Sequence, residues 1–224
     1  MVPVAGGRAG ASLALRNLKF QISNLKLAAS DFIRAFVAVS VPAELKAAIA
    51  KTQRQLQNRA GTNAIRWTAE AQWHLTLKFY GNVASEQVPA LTGALRAACQ
   101  PIRPFSISLG GVGCFPSWQK PGAIWIGVGG DITALETLQK DVEQRTAGFG
   151  SHSEKRDFHP HLTVGRVKGS ACDTRAAGQA FRDQHIPDLG EWEVREIELI
   201  QSTLSPRGSS YQALGVFSLG RTCV

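Results

Sequence analysis

Cysteine is scarce and poorly placed for cross-linking: Cys99, Cys114, Cys172 and Cys223 stand far apart, with no C-x-x-C pair among them. That spacing argues against a disulfide scaffold and a cysteine-based zinc module, and makes a reducing, cytoplasmic setting the expectation. No apolar run approaches the ~20 residues that span a bilayer, so no membrane partner is expected. The glycines at 110, 111 and 113 are not followed by Lys-Ser/Thr, which removes a P-loop and any reason to expect ATP dependence. Acidic side chains are missing from the first thirty positions, where Arg8, Arg16, Lys19 and Lys26 fall. The net charge of +8 is therefore unevenly spread: without those four residues, twenty-one basic side chains face seventeen acidic ones, a balance of +4. Such a surface is compatible with an RNA partner and does not require one.

Residues 1–31 read differently from the remainder, with the near-repeat Asn17-Leu18-Lys19-Phe20 and Asn24-Leu25-Lys26-Leu27. An organelle-targeting presequence has a similar basic, acid-poor composition. The plainer reading, a disordered or non-native leader before a domain spanning 32–220, is the one adopted.

What the sequence does contain is one tripeptide twice. His74-Leu75-Thr76 lies in AQWHLTLKFYG and His161-Leu162-Thr163 in DFHPHLTVGR, both in strand-like runs. Alternation along a strand puts His74 and Thr76 on one face, with Trp73, Leu75, Leu77 and Phe79 on the other. In the second copy His161 and Thr163 share a face, backed by Phe158, Pro160, Leu162 and Val164. Side by side, the two strands would bring two imidazoles and two hydroxyls into one cleft. One imidazole can then take a proton from an attacking oxygen while the other gives one to a leaving oxygen, and the hydroxyls can hold the non-bridging phosphate oxygens.

Around these motifs the pattern predicts a strand over Phe32–Val39 and a helix opened by Pro42 with Leu45, Ile49 and Leu56 inward. Strands follow at Ile65–Trp67 and Trp73–Phe79, then a helix from about Ser85 burying Val88, Leu91, Leu95 and Ala98. Strands at Phe105–Leu109 and Ala123–Val128 flank a glycine-rich loop. A helix capped by Asp131 buries Ile132, Leu135, Leu138 and Val142. The second motif strand, a helix near Thr174–Gln184 and strands at Glu191–Gln201 and Tyr211–Leu219 complete the chain. With the motif histidines so far apart, the fold expected is α+β: two similar lobes with pseudo-twofold symmetry, antiparallel sheets around a central cleft, and helices outside.

The residues from Phe32 onward resemble the 2H phosphoesterases, and within them the RNA 2',3'-cyclic phosphodiesterases, or 2'-5' RNA ligase family. The likeness rests on FIRAFVAVSVP, WHLTLKFYGNV, LGGVGCFPSWQKPGAIWIGV, FHPHLTVGRV and LIQSTLSPRGSSYQALGVFSL. It implies metal-independent hydrolysis of RNA 2',3'-cyclic phosphate ends to 2'-phosphomonoesters, without a cofactor, and RNA joining in the reverse direction. By the same resemblance His74 corresponds to the proton donor, His161 to the proton acceptor, and Thr76 and Thr163 to phosphate-binding residues. Single-stranded RNA ends or tRNA fragments are the partners implied, and a monomer is expected. Two departures stand out: Val164-Gly165-Arg166 replaces a common Leu-Ala-Arg, and Tyr80 replaces an aliphatic residue.

Other residues leave choices open. Arg166 either binds substrate or merely ends its strand, and Lys78 shares the parity of His74 but can reach solvent instead. Tyr211, Trp118 and Phe115 are candidates to stack a base, against ordinary core packing. His159 and His161 could join His74 on a metal, yet no Asp, Glu or Cys lies beside the first motif in the right frame. His159 is accordingly read as a cleft-wall residue, and His152 and His185 as exposed. Two rival functions remain: a phosphodiesterase for another 2'-5' or cyclic nucleotide, and a non-catalytic module that binds RNA ends.

Overall fold

The computed structural model describes residues 32–60, 63–151, 156–206 and 208–220. The expectations for the leader 1–31, for His152 and for Cys223 lie outside the described residues. Among the described residues nine strands are hydrogen-bonded into one antiparallel sheet: β1 (Phe32–Ser40), β2 (Ile65–Trp67), β3 (His74–Ala84), β4 (Phe105–Phe115), β5 (Ala123–Gly130), β6 (His161–Val167), β7 (Glu191–Val194), β8 (Glu196–Ser205) and β9 (Gly208–Ser218). The order across it is β7-β4-β5-β6-β3-β1-β8-β9, with β2 also paired to β6. Each half places its His-x-Thr strand innermost, so the two motif strands meet at the centre. The expected two-lobed α+β architecture is present, with the halves' sheets joined edge to edge.

Four helices stand among the described residues: α1 (Ala43–Ala60), α2 (Val88–Cys99), α3 (Ile132–Arg145) and α4 (Ala171–Arg182). Their apolar stripes follow the 3.6-residue period, Leu45-Ile49-Leu56 on α1 and Leu91-Leu95-Ala98 on α2, and are buried. Asp131 caps α3 by accepting from the Ala134 N–H at 2.9 Å, and Ser170 and Asp173 form a capping box on α4. These stripes share one core with Val37, Val39, Leu75, Leu77, Leu162 and Val164. The helices thus cover one face of the sheet, and the opposite face carries the histidines. No helix among the described residues is long and apolar enough to cross a membrane.

Three sequence expectations need correction. The glycine-rich segment is not a loop: Gly110, Gly111 and Gly113 lie inside β4, which continues to Phe115. Gly111 forms a bulge opposite β5 at φ +68°, a conformation glycine adopts without strain, and Gly113 leaves room for the Trp125 indole. Glu191–Gln201 is two strands, β7 and β8, because Arg195 and Glu196 are both exposed and interrupt the alternation. The two pieces then pair in opposite halves of the sheet.

The third correction concerns the first motif strand. β1 and β3 slip register between Val37 and Ala38, leaving Leu77 as an extra residue, and slip again between Ala35 and Phe36. Past Leu77 the side-chain parity inverts. Phe79, expected in the core, is 42% exposed on the cleft face. Lys78, expected on the cleft face, is buried on the helix side, with Nζ 2.8 Å from Glu143 Oε1 and 3.2 Å from the Thr146 carbonyl. Tyr80 is fully buried beside it and donates to Thr146 Oγ1 at 3.1 Å.

Candidate active site

Leu75 and Leu162 pair across the β3–β6 junction in antiparallel register. One step along that register sets His74 opposite Thr163, and Thr76 opposite His161. Directly opposed residues share a face, so all four side chains enter one cleft. Its lining also includes Arg66, Trp67, Thr68, Gln72, Phe79 and Arg166. The duplicated tripeptide is brought together as its symmetry suggested.

A matching irregularity follows each motif. β5 and β6 slip register between Ile124 and Trp125, leaving Val164 as the extra residue, three positions after His161 as Leu77 is three after His74. This bulge swings Arg166 onto the cleft face, as its counterpart swings Phe79. The two halves therefore present different groups at equivalent places: a guanidinium near His161 and an exposed phenyl ring near His74.

Each imidazole is held from behind. His161 Nδ1 donates to the His159 carbonyl at 2.7 Å, which leaves Nε2 without that proton when the ring is neutral. His74 has a corresponding hydrogen bond to the backbone of Gln72, also two residues upstream. The Phe36 ring stacks on His74 at 4.7 Å, and Tyr211 meets it edge-on at 5.5 Å. Phe115 packs edge-on against His161 at 4.9 Å. Burial among these rings lowers the His74 pKa to about 4, against a partly compensating bond donated to the Gln72 backbone, with the charges of His161 and Arg166 adding to the depression. Burial also lowers that of His161, with the charges of His159, Arg166 and Arg156 contributing. Both rings are thus neutral near pH 7 until something negative enters.

His159 is exposed and its ring lies against Phe115 and Trp125, at 5.5 and 5.1 Å, while its carbonyl orients His161. Among the described residues no cluster of three His, Cys, Asp or Glu side chains is placed to hold a metal. Trp118 packs against the core, Tyr211 lines the cleft, and His185 is exposed. Arg66, Gln72, Phe79, Lys168 and Ser209 also line the cleft, and sequence reasoning missed them. Phe79 was hidden by the bulge. Gln72 and Ser209 meet only in the folded chain, where Gln72 Nε2 donates to the Ser209 carbonyl at 2.6 Å.

Fold and site together define a bilobal protein with paired His-x-Thr strands on the open face of one sheet. The chain belongs to the 2'-5' RNA ligase superfamily, whose family model matches residues 41–205. It is 37% identical over 145 residues to an RNA 2',3'-cyclic phosphodiesterase of Aeropyrum pernix, covering 65% of this chain and 81% of that one. The enzyme of the same description from Archaeoglobus fulgidus is 34% identical over 185 residues, 83% of this chain and 99% of its own. Among solved structures, E. coli LigT in its apo form superposes with a TM-score of 0.66 at 25% identity, covering 86% of this chain and 100% of LigT. A protein of Thermus thermophilus gives 0.65 at 26% identity, covering 84% and 98%.

Proposed function

We propose that this chain hydrolyses RNA 2',3'-cyclic phosphate ends to 2'-phosphomonoesters, using His161 as base and His74 as acid. The observation that carries the reading is the Leu75–Leu162 pairing, which faces two His-x-Thr motifs across one cleft. His161 Nε2 takes a proton from water as the water oxygen bonds to phosphorus. The bond from phosphorus to O3' breaks, O3' receives the proton of His74, and the phosphate stays on O2'. Thr76 and Thr163 donate to the non-bridging oxygens and Arg166 balances their charge, where electrostatic stabilisation of the transition state is most effective. The phosphate anion, lying between the rings, raises both imidazole pKa values and lets His74 hold its proton. With an RNA 5'-hydroxyl in place of water, the same steps form a 2'-5' linkage. The assignment of acid and base follows family resemblance, since both rings are anchored alike.

The test is an RNA oligomer ending in a 2',3'-cyclic phosphate, incubated in EDTA with wild type, His74→Ala and His161→Ala. The expected outcome is 2'-phosphate product from wild type, with each variant reduced by about 10²–10⁴-fold. Tight binding without product would identify an RNA-end-binding module instead. Activity restored only by a divalent metal would rule out the two-histidine scheme.

A further inference from the structure

The lining of the cleft continues past the histidines to Arg66, Arg166 and Lys168, and this extension is cationic. β2 pairs with β6 so that Arg66 lies directly across from Arg166, placing both on the cleft face. Lys168, two residues beyond Arg166, also lines the cleft. By the rise of a strand its backbone lies ~7 Å further from the motif than that of Arg166, a distance of the order of one nucleotide step. No Asp or Glu is found among the described residues lining the cleft. Like charges opposed across a strand pair are mutually unfavourable, and an anion seated among them removes that cost.

Arg66 and Lys168 continue the cleft beyond the histidines: Lys168 is two residues further along the chain than Arg166, and Arg66 reaches from β2 to the β8–β9 turn. Their positions are also built. The Lys168 N–H donates to the Ala64 carbonyl at 2.6 Å, fixing the end of β6 against the entry to β2. The Arg66 guanidinium lies over Gly208 at the β8–β9 turn, where a β-carbon would fall 2.7 Å from Nη2. Gln72 ties the same turn down through Ser209. The other half of the cleft offers instead Phe79 and Tyr211, which pack on the buried Phe36 ring and are suited to a base.

From this separation of charge and aromatic surface, and resting on the phosphodiesterase reading above, we infer that Arg66 and Lys168 form a second phosphate site. It takes the phosphate on the 5' oxygen of the terminal nucleoside. The source favoured is the internucleotide phosphodiester of an RNA strand, so that the enzyme prefers an oligonucleotide end to a cyclic mononucleotide.

The experiment compares kcat/KM for a nucleoside 2',3'-cyclic phosphate, its 5'-phosphorylated form, a dinucleotide with the same cyclic end, and that dinucleotide with an uncharged methylphosphonate linkage. Wild type should favour the charged dinucleotide over the mononucleotide by about tenfold or more, chiefly through KM, and lose most of that with methylphosphonate, because the gain is electrostatic. In the Arg66→Ala/Lys168→Ala double variant the ratio between the two substrates should collapse toward one, and the salt dependence on the dinucleotide should become shallower by about one for each cation removed. An equal gain from the 5'-phosphorylated mononucleotide would support the site and show that a terminal monoester suffices. Cleavage of both substrates at equal efficiency by wild type, or a methylphosphonate dinucleotide as good as the charged one, would overturn the second site while leaving the phosphodiesterase reading intact. Cleavage of neither would remove both.

Discussion

At the level of single residues, the feature that most affects the chemistry is that His74 and His161 share a buried, cation-facing environment in the free protein. An imidazole whose pKa sits near 4 is almost wholly deprotonated at neutral pH, and the donor role proposed for His74 needs it protonated. The phosphodiester itself must raise that value, so free enzyme and complex should titrate differently. The profile of kcat/KM reports the free enzyme and that of kcat the complex. Both should be bell-shaped, with the kcat/KM bell centred at more acidic pH than the kcat bell. Coincident bells would mean that the anion does not retune the histidines, and profiles flat from acid to alkali, with chemistry rate-limiting, would refute the two-histidine scheme. These residues were legible in the sequence because the motif repeats in frame. Phe79 and the true placement of Lys78 were not: the extra residue Leu77 inverts the side chains from Lys78 until a second slip at Tyr80 restores them, and nothing in the local composition of LTLKFY marks where it falls. Arg66 reaches the cleft only through the pairing of β2 with β6.

The elements themselves were easier to read than their interruptions. Helix stripes, the Asp131 cap and β2 at Ile65–Trp67 follow from periodicity and capping chemistry. Bulges depend on which neighbour a strand acquires, and that is decided by tertiary pairing. The break at Arg195-Glu196 was visible in principle as two adjacent charged residues in an alternating run. One departure from the familiar Leu-Ala-Arg pattern acquires a physical reason at this scale. A β-carbon on Gly165 would lie 2.9 Å from Ile65 Cγ2 and 3.2 Å from the Trp67 ring, so the bare position lets the side chains of β2 pack this closely on β6. Gly165→Ala should cost about 1–3 kcal/mol by overpacking, measured as a lower urea midpoint. Combined with Ile65→Ala, the loss should be less than the sum of the two single losses, because the first variant's clash is with the atoms the second removes. Strict additivity would show that β2 yields freely.

The described residues are organised by one asymmetry of layers: their four helices lie on one side of a continuous sheet, and the side left open at the β3–β6 junction carries the candidate site. Strand order was the least legible property of the sequence, since β8 and β9 follow β7 in the chain yet join the opposite half. That long return packs Ile200 and the aromatic ring of Tyr211 beside Phe36, burying His74 and tying the site to global stability. A histidine whose folded pKa is depressed keeps the folded state neutral while the unfolded chain takes up a proton below its ordinary value of 6.5. Unfolding then binds protons, and stability falls as pH drops from about 6.5 toward 4. For His74 alone the full loss is about 3 kcal/mol, with His161 adding in the same direction. Urea unfolding at pH 7 and pH 5 should therefore show a drop that is smaller in His74→Gln, which cannot titrate. Saturating phosphate should also shrink it, since an anion in the cleft favours the protonated rings in the folded state. An identical pH dependence in wild type and His74→Gln would mean that His74 titrates alike in the folded and unfolded chains, and that its burial does not depress its pKa in the free protein.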